Sequence, residues 1–162
     1  SQRAVRDGLR DFRLDAHRMA LVTEAHGVPW IDDSKATNVS AARAALHSAE
    51  QVVWVAGGLA KGATFDDLVV AVRDRLRGVV LVGRDRELIV DALRRHAPEV
   101  PVIEVETGET ELMDAVVSAA ASLAREGDTV LLAPACASMD QFRSYAHRGE
   151  AFAAAVRRHT RT

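Results

Sequence analysis

A chain of 162 residues is long enough for one domain with a sizeable core. Its apolar content of 48%, charged content of 27% and formal net charge of −2 are ordinary for a globular protein, and give no electrostatic case for nucleic acid or an acidic membrane as partner. No apolar run is long enough to span a bilayer, and the first ten residues hold three arginines but no signal-peptide core. Cys136 is the only cysteine, so an internal disulfide or a multi-thiolate metal site is excluded. Its apolar setting, Leu131 to Cys136, reads as a buried inert thiol, compatible with a reducing, cytoplasmic compartment.

In chain order, Ala4 to Phe12 reads as the end of a helix from an upstream domain. Residues 16–26 carry Met19, Leu21, Val22 and Ala25 as a helical stripe, with Gly27 as its cap. Val28 to Ile31 is a strand and Val39 to His47 an alanine-rich helix. Residues 51–56 form a strand too continuously apolar to have one wet face. Thr64 and Asp67 resemble a capping box, followed by Phe65, Leu68, Val69, Val72 and Leu76 at helical spacing, with Gly78 as the stop. Val79 to Val82 is the next strand. Residues 85–96 form a helix with Leu88, Ile89, Ala92 and Leu93 inward. Val102 to Val105 alternates apolar and acidic residues, as an edge strand does. A helix over 109–125 presents Leu112, Val116, Ala119 and Leu123, with Gly127 as cap; Thr129 to Ala133 is the last strand, and helices follow over 140–147 and 149–158.

Strands alternating with helices predict an α/β fold of Rossmann-like type, a mostly parallel twisted sheet with helices on both faces. In such a sheet the strand C-termini share one rim, where ligands bind. Three polar junctions follow strands and are predicted to meet there. The first is Asp33-Ser34-Lys35-Ala36-Thr37-Asn38, with a carboxylate, an ammonium, two hydroxyls and an amide in six residues. The second is Gly57-Gly58-Leu59-Ala60-Lys61-Gly62, in which glycines let backbone N–H groups approach an anion and Lys61 adds positive charge. The third runs from Ala133 to Phe142 and offers the Ser138 hydroxyl beside small residues.

Each has a plainer reading. Thr37 or Asn38 suits a helix cap, the glycine-rich stretch suits a bare tight turn, and Ser138 suits an N-cap. Arg18 suits a solvated helix surface. The second junction lacks both the P-loop and the dinucleotide-binding glycine patterns, and the histidines lack metal-ligand spacing.

Taken together, the three junctions closely resemble the C-terminal domain of the Mur ligases, over roughly residues 13–156. Within that family the wording points to the branch that adds D-glutamate to UDP-N-acetylmuramoyl-L-alanine. His17-Arg18 and the run Ser138, Phe142, Tyr145, Arg148-Gly149 extend the resemblance, with Tyr145 where that branch often has Phe. The Asp-Asn-Pro-Arg motif of the diaminopimelate- or lysine-adding branch does not occur.

The resemblance implies residues 1–12 as the end of a central ATP-binding domain and 13–162 as the amino-acid-binding domain. It implies ligation in peptidoglycan synthesis through an acyl phosphate, with ATP and Mg2+ held mainly by the central domain. D-glutamate would meet Thr37, Lys61, Ser138, Met139 and Tyr145; Arg18, Asp33 and Lys35 would face the nucleotide and phosphate. No metal ligand is assigned, and UDP-N-acetylmuramoyl-L-alanine would be bound through other domains. Without a phosphate-gripping loop, this chain alone is expected to be inactive. The alternative readings are another Mur ligase or a folylpolyglutamate synthase, which share the domain plan, and, from a different class, a non-catalytic Rossmann-like regulatory module.

Overall fold

The computed structural model describes residues 16–106 and 111–161. The reading of residues 1–12 as the end of an upstream domain, and the first residues of the helix expected from 109, lie outside them. Six strands form one sheet: β1 (Ala20–Ala25), β2 (Val28–Asp32), β3 (Val52–Gly57), β4 (Leu76–Val82), β5 (Val102–Glu104) and β6 (Thr129–Leu132), in the order β1-β2-β6-β3-β4-β5. Every pairing is parallel except β1 with β2. The helices are α1 (Val39–Leu46), α2 (Asp66–Val72), α3 (Arg86–His96), α4 (Leu112–Leu123) and α5 (Tyr145–Thr160).

Strand periodicity divides the core in two. Val52, Trp54 and Ala56 of β3 pack with α1, α2 and α3, whereas Val53 and Val55 pack with α4 and α5. All six residues of β3 are buried, as the unbroken apolar run requires. Trp54, fully buried, satisfies its indole by donating to the Ala133 carbonyl at 2.7 Å. No helix among the described residues is long and apolar enough to cross a membrane.

Several sequence expectations are corrected. The segment expected as a helix over 16–26 is strand β1, joined to β2 by the two-residue turn His26-Gly27. Both turn residues have positive φ, 52° and 75°, which matches the twist of a tight hairpin and overrides the apolar spacing. The helix expected to run from Thr64 to Gly78 is only α2. Phe65, not Thr64, stands at its N-cap, buried and without a side-chain cap bond. A 3-10 turn over Arg73–Arg75 follows, and Leu76 already pairs with Val52. Gly78 lies within β4 opposite Val53, because the sheet claims the whole run 76–82.

In α3 the buried face is Ile89, Val90, Ala92 and Leu93, and Leu88 is exposed. In α4 the buried residues are Leu112, Met113, Val116, Val117 and Ala120; Ala119 and Leu123 are only half-buried. Its C-cap is Ala124, and Gly127 sits in the turn into β6. The two helices expected at the C-terminal end are the single helix α5, capped by the Ser144 hydroxyl, which accepts from the His147 N–H at 3.1 Å. Residues 140–144 are a turn. Gly149 does not break the helix; it lets α5 approach the rim, where a Cβ would stand 2.3 Å from His17 Nδ1 and 2.8 Å from Asp32 Oδ2.

Gly57 ends β3 at φ 118°, and a Cβ there would sit 1.8 Å from the Val82 carbonyl oxygen. Gly57→Ala is expected to lower the unfolding free energy by about 3 kcal/mol or more, from strain plus overlap. Urea unfolding followed by circular dichroism checks it; a loss below about 1 kcal/mol would contradict this account of the turn.

Candidate functional site

The strand order makes β2, β6 and β3 consecutive neighbours, all parallel. The three junctions therefore leave the sheet side by side, at one rim. Backbone hydrogen bonds join them. The Ala135 N–H donates to the Ala36 carbonyl at 2.9 Å, and Leu59 and Ala137 exchange bonds at 2.9 and 3.0 Å. The Gly57 N–H donates to the Pro134 carbonyl at 3.0 Å.

Arg148, on the buried face of α5, locks the first and third junctions together. Its Nε donates to Ser34 Oγ at 2.9 Å, Nη2 to the Ser34 carbonyl at 2.8 Å and Nη1 to the Cys136 carbonyl at 3.0 Å. The Ser34 hydroxyl donates onward to the Tyr145 carbonyl at 2.7 Å. Burial pulls the Arg148 guanidinium down to about 10, which leaves it cationic at neutral pH. The sequence offered Arg148 only as part of an Arg-Gly pair. Ser34 was passed over in favour of Lys35 and Thr37, though it is fully buried and spends its hydroxyl on structure. An arginine on the buried face of an amphipathic helix is the signal that could have found this network.

The side chains proposed for nucleotide contact gather in one place. Arg18, Asp33 and Lys35 line a cleft of about 330 Å³ that runs along α1 past Ala41, Ala45 and Ser48. Asp33 is 6% exposed and accepts from the Met19 N–H at 3.1 Å. Burial, partly countered by that hydrogen bond, raises its pKa to about 6; neighbouring Asp32 adds to the rise and Arg18 opposes it. Asp32 itself is engaged: it accepts from the Ser34 N–H at 2.9 Å and pairs with His17 Nδ1 at 2.6 Å.

Of the set proposed for the amino acid, Thr37, Lys61, Ser138 and Met139 lie on the three junctions and Tyr145 opens α5; none of them lines that cleft. Thr37 is half-buried, and Asn38 rather than Thr37 caps α1, accepting from the Ala41 N–H at 2.9 Å. The Thr37 hydroxyl is thus not used as a cap. Lys61 is exposed and sits at φ 50°, in the left-handed region that a lysine rarely occupies. Ser138 is 4% exposed, yet among the described residues nothing hydrogen-bonds its hydroxyl. Its carbonyl accepts from the Gln141 and Phe142 N–H groups, so Ser138 heads a turn rather than capping a helix with its side chain. Met139 beside it is 70% exposed. Tyr145, partly exposed, turns its ring edge-on to His17 at 6.3 Å, and its carbonyl already serves Ser34. Cys136 is buried, and its thiol is pushed up to about 12, as expected of an inert cysteine.

A doubly wound α/β domain with a polar rim at adjacent strand ends is the architecture of a ligand-binding domain. The chain belongs to the Mur ligase family: the family model described as Mur ligase, glutamate ligase domain, matches residues 17–136. It is 62% identical over 154 residues to UDP-N-acetylmuramoylalanine–D-glutamate ligase of Streptomyces avermitilis, covering 95% of this chain and 33% of that protein. The same-named protein of Streptomyces coelicolor is 60% identical over 157 residues, with 97% and 33% covered. The chain thus spans about a third of the length of these curated relatives.

Solved structures share the fold. UDP-N-acetylmuramate-alanine ligase MurC from Thermotoga maritima gives a TM-score of 0.53 at 16% identity, covering 84% of this chain and 29% of that one. The folylpolyglutamate synthase of the same organism gives 0.51 at 21% identity, covering 74% and 28%.

Two measurements test the site's construction. Asp33 takes up a proton on folding, because its folded pKa is raised above its unfolded value. Its contribution therefore falls as pH rises from about 4 to about 6 and stays lost above that. Asp33→Asn should be more stable than wild type by on the order of 2 kcal/mol at pH 7.5, and the difference should vanish near pH 4. Denaturant unfolding across that range reads it; a pH-independent difference would refute the assignment. Arg148→Ala leaves the Ser34 and Cys136 carbonyls without their donor and should cost about 3–5 kcal/mol in the same assay. A loss under about 1 kcal/mol would show that the clamp is dispensable.

Proposed function

We propose that this chain is the amino-acid-binding C-terminal domain of the ATP-dependent ligase that adds D-glutamate to UDP-N-acetylmuramoyl-L-alanine in cytoplasmic peptidoglycan synthesis. Strong similarity to curated ligases of that name supports the reading. The observation that carries it is Ser138: a nearly buried serine at the rim whose hydroxyl, still open to solvent, is unengaged by any described residue, while the buried side-chain polar atoms around it are satisfied. A solvent-open hydroxyl with no protein partner is available to donate to or accept from a ligand.

In this reading Lys61 and Ser138 hold the two carboxylates of D-glutamate, and Thr37 and the backbone near Met139 and Tyr145 complete the clamp. Gripping both carboxylates leaves the amine as the one free functional group and aims it at the acceptor, an orientation effect. The Lys61 ammonium, on exposed backbone, reaches a carboxylate without the desolvation that a buried lysine would suffer.

The cleft of Arg18, Asp33 and Lys35 fits the outer part of a nucleotide. Its carboxylate can accept from ribose hydroxyls, and its cations suit phosphate oxygens. ATP, when bound, supplies the phosphoryl group that activates the acceptor carboxylate. The domain's own residues do not perform that activation; they bind, orient and exclude water as the domain closes. Among the described residues no cluster of three or more His, Cys, Asp or Glu is placed to hold a metal. The family resemblance implies that the central domain holds magnesium, and no described residue is given to it.

Lys61→Ala in the full-length ligase is expected to weaken D-glutamate use by on the order of 10- to 150-fold, the loss of about 1.5–3 kcal/mol from a charged hydrogen bond. The apparent affinities for ATP and the UDP-sugar should stay near wild type. Steady-state kinetics with each substrate varied decide the matter. A D-glutamate KM and kcat unchanged within about 0.5 kcal/mol would mark Lys61 as a solvated turn residue.

A further inference from the structure

Asp85 stands at the N-cap of α3, a position where an aspartate ordinarily accepts from the first-turn N–H groups of its own helix and adds about 1 kcal/mol of stability. Here it makes no such bond. Its carboxylate Oδ2 instead accepts from the Ala60 N–H at 2.8 Å, twenty-five residues away, and its own N–H donates to the Gly58 carbonyl at 3.0 Å. These two bonds bracket Gly58, Leu59 and Ala60, the residues immediately before Lys61. Asp140, two residues beyond Ser138, reaches the loop that carries Asp85 from the third junction: its Oδ2 accepts from the N–H of Arg84, the residue before Asp85, at 2.9 Å. The Leu59–Ala137 bridge closes the circuit. Lys61, at φ 50°, follows in the turn that the Ala63 N–H closes on the Ala60 carbonyl at 3.0 Å, so the residue that Asp85 anchors is also the one from which the Lys61 turn starts.

Sacrificing a helix cap to hold a distant loop is a local rule broken at a candidate site, where such breaks have functional reasons. We propose that Asp85 is a positioning residue for the substrate clamp: its carboxylate fixes the backbone that carries Lys61, and so sets where the ammonium meets the ligand's carboxylate relative to Ser138. Asp140 ties that setting to the loop of Ser138, so the two ends of the clamp keep their spacing. The inference rests on the reading of Lys61 as a D-glutamate ligand and adds to it the part that determines reach. Asp85 touches no substrate in this account; its effect is transmitted wholly through Lys61.

The experiment is a double-mutant cycle in the full-length ligase, with D-glutamate, ATP and the UDP-sugar each varied and folding verified by circular dichroism. Asp85→Ala should raise the D-glutamate KM by on the order of tenfold to a hundredfold, with the KM for ATP near wild type, because misplacing a binding group by about 1 Å has effects of that size. In the Lys61→Ala background the same substitution should change the D-glutamate KM less than about twofold, since a residue acting through Lys61 has nothing left to act on. Asp85→Asn keeps an acceptor oxygen for the Ala60 N–H; it should recover most of the loss and supplies the comparison where the alanine variant does not fold. If Lys61→Ala weakens D-glutamate use but Asp85→Ala does not, the positioning role is overturned and the site reading stands. If Asp85→Ala acts equally in both backgrounds, its role is general stability and the proposal fails. If Lys61→Ala leaves D-glutamate kinetics unchanged, the reading of Lys61 fails and takes the positioning role with it.

Discussion

The buried guanidinium of Arg148 is the interaction on which the rim depends. A cation withdrawn from water on α5 needs acceptors, and the nearest elements must supply them. They do so with main-chain carbonyls at Ser34 and Cys136 and with the Ser34 hydroxyl. Each acceptor belongs to a junction that leaves the sheet, so satisfying one charge fixes two loops and a helix together. The Ser34 hydroxyl then spends its own proton on the first residue of α5. Gly149 permits the arrangement, because any side chain there would occupy the space of the His17–Asp32 pair. The loops are thus held without using the side chain of Thr37, Lys61 or Ser138.

The sheet order does the remaining work of assembly. Placing β6 between β2 and β3 brings the first and second junctions to either side of the third. The third is built from small residues, Ala135, Cys136 and Ala137, and Ala135 has a φ of 60°. That composition lets its backbone pair with both neighbours, through Ala36 on one side and Leu59 on the other. Small side chains here are therefore a requirement of loop-to-loop hydrogen bonding as well as of space for a ligand.

The sequence made the architecture legible where hydrophobic period and length agreed: β3, α1, α3 and the edge strand β5 were read close to their true bounds. It misled where two signals competed. Leu21, Val22 and Ala25 satisfied a helical spacing, but the His26-Gly27 turn and pairing with β2 decided for strand. Leu76 completed a helical stripe after Phe65, yet the long-range partner Val52 claimed it. A second helix was expected to start at Gly149, but a single helix runs through it from Tyr145 to Thr160. Among site residues, single chemistries were readable from the motifs. The supporting bonds of Ser34, Asp85, Asp140 and Arg148 were not, because each joins residues far apart in sequence that only topology brings together.

A physical division runs through the rim. Groups that support it are satisfied by partners at 2.7–3.0 Å: Ser34, Arg148, Asp85 and Asp140 all direct their polar atoms at main chain or at each other. Two of the groups proposed to bind carry unfavourable terms, for Asp33 holds a carboxylate where burial resists its ionisation and Lys61 holds left-handed backbone, while Ser138 keeps a hydroxyl with no described partner. A ligand could engage each of them, by donating to the carboxylate, by pairing with the ammonium or by bonding the hydroxyl. Such costs persist only where the surrounding structure over-determines the geometry. Here the satisfied network does so, and it explains how one rim can be rigid in its backbone while its ligand-facing side chains remain open.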